Sequence, residues 1–274
     1  MHITEKIKEL KKILTGYQPL IIALSGGMDS SFLTFMNHHV PGNKKMAISI
    51  LSDFTIKKDI EFAKEFTLKY QILFTTIKIN PLSSVELVKN DKERCYYCKK
   101  LIFTKLLEYA KDNNFKNVAD GTVLNDEDDY RPGKKALKDL GIVSPLYEAG
   151  FTKELIKNAC FLYDFSIPFQ SNSCLATRIP YGIKITPEII TMIEQGELLL
   201  QEMGFHPVRL RYHHPLARIE LTEHDSKRLM DDPKIKKKII EKLKEIGFFY
   251  ITLDIEGFRS GSLNSKFFIS EKSM

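Results

Sequence analysis

The feature that most constrains the fold is an apolar segment that runs directly into a glycine-containing turn and then into an amphipathic segment. Residues 19–24 are apolar, residues 25–31 read SGGMDSS, and residues 29–39 have helical periodicity. The alternation continues, and further strands are predicted near 46–51, 72–79 and 116–119, with helices at 56–70 and 98–112. This pattern predicts an α/β fold with a doubly wound parallel sheet, whose ligands bind at the carboxyl ends of the strands.

The rest of the chain divides into loops and a smaller second domain. Residues 121–150 are polar and rich in turn residues, around one short helix predicted at 134–140, and a helix capped by Thr152 is predicted at 152–163. Beyond these, we predict helices at 187–204, 223–230 and 233–246, and strands near 207–212, 216–221 and 248–254. We therefore expect one domain at 1–184 and a small α+β domain at 185–274.

Composition restricts where the protein works and what it binds. No apolar run approaches the roughly 20 residues of a membrane span, and the N-terminus is a charged amphipathic segment rather than a signal peptide. We expect a cytoplasmic protein without a membrane partner. The net charge of +6 arises from 41 basic and 35 acidic residues, which fits solvated helix faces, with anionic ligands as the alternative.

The SGGMDSS stretch has the chemistry of an anion site. Gly26 and Gly27 let the backbone approach a ligand, and the helix that follows presents N–H groups at its positive end. Ser25 and Ser30 add hydroxyl donors, while Asp29 can hold a metal ion or cap the helix. A plain tight turn is the alternative. The stretch lacks the lysine of a Walker A loop.

The lysine-free loop resembles the PP-loop of ATP pyrophosphatases, which hold pyrophosphate as a leaving group. The resemblance implies that ATP and Mg²⁺ bind here and that the α-phosphate is attacked, so that an oxygen of the substrate is adenylated. Ser52, after the second predicted strand, stands where such proteins usually meet the adenosine.

Four cysteines in a chain of this length and setting favour metal or redox chemistry over disulfides. Cys95 and Cys98 form a CxxC, which fits a zinc half-site, a dithiol redox pair, part of an iron–sulfur site, or two core cysteines at a helix start. Cys174 lies among small polar residues, as an exposed reactive thiol would, with Arg94, Lys99 and Arg178 available to favour the thiolate. Cys160 lies in an apolar helical pattern and is interpreted as a core residue.

Several motifs together resemble the LarE family of ATP-dependent sulfur transferases over nearly the whole chain. They are SGGMDSS, RCYYCK, DGTVLNDEDDYRPG, SPLYEAGFTK, SCLATRIPYG, VRLRYHHPLARIE and DIEGFRSGSLN. The resemblance implies a nucleotide substrate, pyridinium-3,5-biscarboxylic acid mononucleotide, whose carboxylates are adenylated and converted to thiocarboxylates during synthesis of the nickel-pincer nucleotide, the lactate racemase cofactor.

The resemblance also implies roles for individual residues. Cys174 corresponds to the cysteine that bears sulfur and that, in many members, gives up its own sulfur and becomes dehydroalanine. Those members lack the CxxC, so this chain is similar to the branch in which three cysteines, here Cys95, Cys98 and Cys174, hold a 4Fe-4S cluster that carries an extra sulfide. Both routes remain open from sequence.

Polar side chains complete the implied site. The loop DGTVLNDEDDYRPG resembles the family's substrate and metal loop; its polar groups are Asp120, Asp126, Asp129 and Arg131. We predict catalytic roles for Asp129 and Arg131 beside Asp29 and Cys174, with a solvated acidic turn as the alternative. The residues predicted to bind substrate are Asp126, Arg178, Glu197, Arg209 and Arg211.

Arg209 and Arg211 alternate with Leu210 on a predicted strand and should therefore share one face, where two guanidinium groups suit a phosphate. The family uses arginines here, with Glu197, for the phosphate region of its substrate. A solvated strand face is the alternative.

Two other functions compete. A tRNA thiolase shares the PP-loop and a three-cysteine cluster, but the chain shows no N-terminal zinc knuckle, no appended RNA-binding domain and no basic tract interleaved with aromatic residues, which disfavours nucleic acid as a partner. A nucleotide-binding sensor with structural zinc on the three cysteines is the other. The resemblance further implies a homo-oligomer and leaves open a sulfur donor or desulfurase as partner.

Overall fold

The computed structural model describes residues 3–42, 44–126, 132–163, 165 and 173–259. The described chain forms two compact units. One contains the residues up to Leu87 and those from Lys92 to 165, and the other contains Val88–Asp91 and the residues from Ser173 onward. The domain division at residue 184/185 stays a prediction.

The first unit is built on a parallel sheet. Its strands are β1 (Leu20–Ala23), β2 (Lys45–Leu51), β3 (Phe74–Lys78) and β4 (Asn117–Ala119). They lie in the order β3-β2-β1-β4, and each pair is parallel. The chain therefore proceeds outward from β1 to β3 and then returns to the other side of β1. In such sheets, ligands bind where the strand order reverses, which here is the carboxyl edge between β1 and β4.

Helices cover both faces of this sheet. Those of the chain up to residue 163 are α1 (Ile3–Gly16), α2 (Met28–His38), α3 (Lys57–Lys69), α4 (Val85–Val88), α5 (Arg94–Asp112), α6 (Pro132–Asp139), α7 (Pro145–Glu148) and α8 (Lys153–Leu162). One core cluster joins the sheet to α1, α2, α3 and α8, and another joins it to α5 and α6. The predicted doubly wound α/β fold is confirmed.

The second unit is α+β, as predicted. It contains α9 (Pro187–Glu202), β5 (Val208–His213), β6 (Leu216–Leu221), α10 (Glu223–Asp231), α11 (Pro233–Ile246) and β7 (Tyr250–Leu253). Strand β6 lies in the middle, antiparallel to β5 and parallel to β7. A core of apolar side chains from β5, β6, α9 and α11 holds the unit together. Among the described residues, no helix is both long and apolar enough to cross a membrane.

Candidate active site

The SGGMDSS loop joins β1 to α2 at the carboxyl edge of the sheet. Gly26 has φ +80°, a backbone conformation that favours glycine. The loop is held by the Ser30 hydroxyl, which donates to the Gly27 carbonyl at 3.1 Å, accepts from the Ser25 N–H at 3.2 Å and lies 3.0 Å from the Ser25 hydroxyl. The two serines therefore fix the shape of the turn.

Helix α2 begins in the middle of this loop. Gly27 is its N-cap and contributes no side chain, so no capping side chain covers the N–H groups of the first turn. Asp29 lies in that first turn. A helix N-terminus without a side-chain cap at a strand reversal is a favourable place for an anionic ligand, because N–H groups and the helix dipole act together.

Ser52 lies at the same edge, directly after β2. Its hydroxyl lies 2.9 Å from the Thr55 hydroxyl and accepts the Phe54 N–H at 3.3 Å, so it stabilises the turn into α3. The sequence placed it correctly after a central strand, and its contact with adenosine stays a prediction.

The CxxC lies inside a helix, because α5 begins at Arg94 rather than at the expected residue 98. The predicted start was one turn late. Cys95 and Cys98 are three residues apart within the first five residues of α5, and both are partly exposed. Residues at this spacing share a helix face, and a helix N-terminus stabilises thiolates.

Cys174 belongs to the second unit and precedes a short 3-10 helix, Leu175–Arg178. Its carbonyl accepts from the Thr177 N–H at 3.0 Å, the Thr177 hydroxyl at 2.6 Å and Arg178 Nη1 at 2.9 Å. The backbone at Cys174 is thus held firmly while its side chain is partly exposed. This arrangement suits a thiol that reacts.

Cys160 differs from the other three cysteines, as the sequence predicts. It is 1% exposed within the core of the first unit. Burial raises the pKa of its thiol to about 11, with a smaller contribution from the charge of Asp29. Because the thiolate is the reactive form, this cysteine is inert near neutral pH.

Arg178 and Glu197 form a buried two-point ion pair. Arg178 Nε lies 2.9 Å from Glu197 Oε1, and Nη2 lies 3.0 Å from Oε2. Glu197 also accepts the Leu210 N–H at 3.0 Å, which ties α9 to β5. Arg178 Nη1 bonds to the chain around Cys174, so all three guanidinium nitrogens contact protein acceptors. The pair holds the Cys174 segment to α9 within the second unit, and a direct role of either residue with substrate stays a prediction.

Arg211 is held by a second carboxylate. Glu220, on β6, receives Arg211 Nε at 2.9 Å and Nη2 at 2.8 Å, and Arg218 lies 2.9 Å from the same carboxylate. Arg211 also donates to the Thr177 carbonyl at 2.8 Å. The sequence did not identify Glu220, although a glutamate in the apolar strand segment ARIEL was a signal for a buried ion pair.

Arg209 is a further buried cation beside Arg178 and Arg211. Its guanidinium stacks over the Phe258 ring at 5.1 Å. Burial, and then repulsion from Arg178, lowers its pKa to about 10, and Arg211 adds to the lowering. Arg209 and Arg211 are 6% and 4% exposed, so the alternative of a solvated strand face is wrong.

Charged side chains of the second unit form a largely buried cluster. Its members among the described residues are Arg178, Arg209, Arg211, Arg218, Glu197, Glu220 and Asp254. A buried guanidinium group acts more strongly on an anionic ligand than an exposed one does, because water screens its charge less.

Some predicted residues lie outside the described residues: Asp129 and Arg131 entirely, and Asp126 as a side chain. Their roles stay predictions. Within the described parts of the chain, no group of three or more His, Cys, Asp and Glu side chains is arranged to hold a metal ion.

Comparison with known proteins agrees with this geometry. Residues 2–143 match the NAD synthase family. The chain is 32% identical to the pyridinium-3,5-bisthiocarboxylic acid mononucleotide synthase of Lactiplantibacillus plantarum, over 96% of this chain and 95% of the relative. It is also 30% identical to an uncharacterized protein of Synechocystis, over 96% and 98% of the two chains, and 30% identical to one of Methanocaldococcus jannaschii, over 94% and 95%.

The β1–loop–α2 unit at the reversal of a parallel sheet agrees with the match to the NAD synthase family. The identity to the Lactiplantibacillus plantarum synthase extends over nearly the full length of both chains. The chain therefore belongs to the PP-loop enzymes of the NAD synthase family and, with the Lactiplantibacillus plantarum synthase, to the LarE family.

Proposed function

We propose that this protein is an ATP-dependent sulfur transferase that adenylates the carboxylates of pyridinium-3,5-biscarboxylic acid mononucleotide and converts them to thiocarboxylates. The observation that carries the proposal is the lysine-free loop around Gly26, which precedes a helix without a side-chain cap at the sheet reversal. The relative from Lactiplantibacillus plantarum, by its name, makes the corresponding bisthiocarboxylic acid.

The loop supports binding of ATP through its pyrophosphate portion. The first-turn N–H groups of α2 and the Ser25 and Ser30 hydroxyls are donors for phosphate oxygens. Asp29, in the same turn, is the proposed ligand for Mg²⁺. A metal there would neutralise charge on the leaving pyrophosphate, while the substrate carboxylate attacks the α-phosphate and the α–β phosphoanhydride bond breaks.

The arginine cluster supports binding of the substrate phosphate. Arg209 is the proposed contact, because its buried guanidinium lies close to those of Arg178 and Arg211. Glu197 and Glu220 each hold one of these two neighbours at two points and so fix their positions. The proposed ligand is a phosphate monoester, whose negative charge complements the guanidinium groups of the cluster.

For the sulfur step we propose Cys95, Cys98 and Cys174 as ligands of a 4Fe-4S cluster. The donors fit the group in kind, since two partly exposed thiols lie within the first five residues of α5 and a third has a firmly held backbone. When bound, such a cluster would supply an iron position for an exchangeable sulfide. The three thiolates would hold it in place, and the acyl carbon would form its bond to sulfur as its bond to AMP breaks.

The test of this function is the identity of the nucleotide product. We expect MgATP and the biscarboxylic mononucleotide, incubated with the protein, to yield AMP and pyrophosphate, as followed by phosphorus NMR. ADP as the product would contradict the assignment, because a loop without a phosphate-binding lysine is not expected to support transfer of the γ-phosphoryl group.

A separate prediction concerns Arg209. Replacing it with leucine removes the guanidinium proposed to contact the substrate phosphate, so we expect the free energy of substrate binding to weaken by about 1.5 to 3 kcal/mol. MgATP affinity should not change. Both affinities can be measured by isothermal titration calorimetry.

Arg228→Leu is the matched control for this variant. Arg228 also stacks on an aromatic ring, that of Phe205 at 4.6 Å, and donates to backbone carbonyls in the same unit, but it lies outside the cluster. The Arg228→Leu variant should therefore leave substrate affinity unchanged. Equal losses for the two variants would mean that Arg209 only stabilises the unit.

A further inference from the structure

The carboxylate of Asp120, directly after β4, is buried, and donors of the protein itself fill most of its acceptor positions. Asp120 is 4% exposed. Its Oδ1 accepts the Ser144 hydroxyl at 2.6 Å and the Thr122 N–H at 3.3 Å, and its Oδ2 accepts the Thr122 hydroxyl at 2.5 Å. Three of the roughly four acceptor positions of a carboxylate are therefore used within the fold.

The next residue, Gly121, packs against the start of α2. A Cβ added there would lie 2.9 Å from the Ser30 nitrogen and 3.1 Å from the Ser30 Cα. The close approach explains why glycine is needed at this position. The loop after β4 thus supports the same turn of α2 that carries Asp29 and Ser30.

Ser144, one of the two residues that donate to Asp120, is itself held in place. The chain at Val143 runs beside β4, since the Asp120 N–H donates to the Val143 carbonyl at 3.0 Å and the Val143 N–H donates to Val118 at 3.1 Å. The Ser144 N–H donates to Glu148 at 3.2 Å, and the other oxygen of Glu148 accepts the Tyr17 hydroxyl at 2.8 Å. The Ser144 hydroxyl therefore presents a defined donor to Asp120.

We infer that Asp120 is a positioning residue for the SGGMDSS loop, residues 25–31. Its carboxylate holds Thr122 and Ser144 together, which keeps Gly121 against Ser30 and fixes the donors of the first turn of α2. The inference rests on the proposed function, because it takes this turn to be the ATP site. The loop DGTVLNDEDDYRPG is expected to contact metal and substrate directly. Asp120 differs from that expectation, because its oxygens accept hydrogen bonds from the protein's own donors.

The experiment compares two variants that disturb the support in different ways. Asp120→Asn replaces an accepting oxygen with a donor that opposes a hydroxyl, and Gly121→Ala inserts a methyl group against Ser30. We expect each to weaken MgATP binding about tenfold, the effect of one unfavourable buried polar contact. The double variant should be no weaker than the worse single variant, because both act by the same displacement.

Two further measurements separate positioning from ligation and from unfolding. The Mg²⁺ concentration needed for half-maximal ATP binding should stay within about twofold of the wild type in both variants, since no metal ligand is lost. Ser144→Ala removes a donor without a new clash and should weaken MgATP binding by less than Asp120→Asn, whereas Ser144→Thr, which keeps the hydroxyl, should restore it. Asp139→Asn, which removes an exposed carboxylate that accepts the Tyr96 hydroxyl at 3.0 Å, is the control without effect.

A raised Mg²⁺ requirement in Asp120→Asn, together with normal MgATP affinity in Gly121→Ala, would overturn the inference and make Asp120 a metal ligand. Additive losses in the double variant would overturn it as well. Failure of the proposed function is visible separately, because the wild-type protein would then not bind MgATP or would produce ADP.

Discussion

Replacing Gly26 with alanine is expected to lower kcat/KM for AMP formation by about 100-fold, the scale of a misplacement of 1 Å at a reacting centre. Gly26 has φ +80°, and an added Cβ would overlap the backbone carbonyl oxygen of Asp59 and lie 3.0 Å from its carbonyl carbon. Backbone atoms in the first turn of α3 cannot rotate away as a flexible side chain can. The SGGMDSS loop must therefore move.

Gly141→Ala is the matched control. Gly141 also has a left-handed backbone, with φ +66°, but a Cβ there meets nothing within 4 Å. Both variants carry backbone strain of roughly 1 to 2 kcal/mol, and only the Gly26 variant carries the clash. AMP formation, measured by chromatography, and the Kd for MgATP should therefore change only in the Gly26 variant. Normal MgATP affinity in Gly26→Ala would place ATP elsewhere.

Local patterns in the sequence were sufficient to predict most of the fold. The apolar runs before Ser25 and Ser52 and the helical periodicity between them identify β1, α2 and β2, because a buried parallel strand and an amphipathic helix leave different periods. The predicted cap Thr152 accepts a hydrogen bond from the Leu155 N–H, three residues ahead, which marks where α8 begins. Short helices such as α4 and α7 have too few residues for a period and were missed.

The pairing of charged side chains was beyond local patterns. Arg178 and Glu197 are 19 residues apart, and their ion pair depends on how α9 packs on β5, which no neighbouring residue encodes. Alternation correctly placed Arg209 and Arg211 together, but it did not predict that Glu220 holds Arg211 at two points. The acceptors around Asp120 likewise depend on Ser144, 24 residues away.

The cysteines give the other large expected effect: replacing any one of Cys95, Cys98 and Cys174 with alanine should abolish sulfur transfer and leave AMP formation intact. Under the proposed function, sulfur transfer needs all three thiolates as cluster ligands, whereas adenylation uses the loop around Gly26. The measurements are iron and sulfide content and visible absorption after purification without oxygen, product mass, and AMP formation. Cys160→Ala is the control, because Cys160 is buried and its raised pKa keeps it protonated.

The opposite result would be equally informative, because the two routes to sulfur leave different marks on the chain. If Cys174 gives up its own sulfur, its Cβ–Sγ bond breaks by elimination, and mass spectrometry after one turnover shows a residue lighter by the elements of H₂S. In that case Cys95→Ala and Cys98→Ala would still support one turnover, and the protein would bind no iron. If instead the thiolates only hold a cluster, Cys174 keeps its mass through many turnovers while sulfide is consumed. Mass and iron content, measured on the same sample, therefore distinguish the two routes.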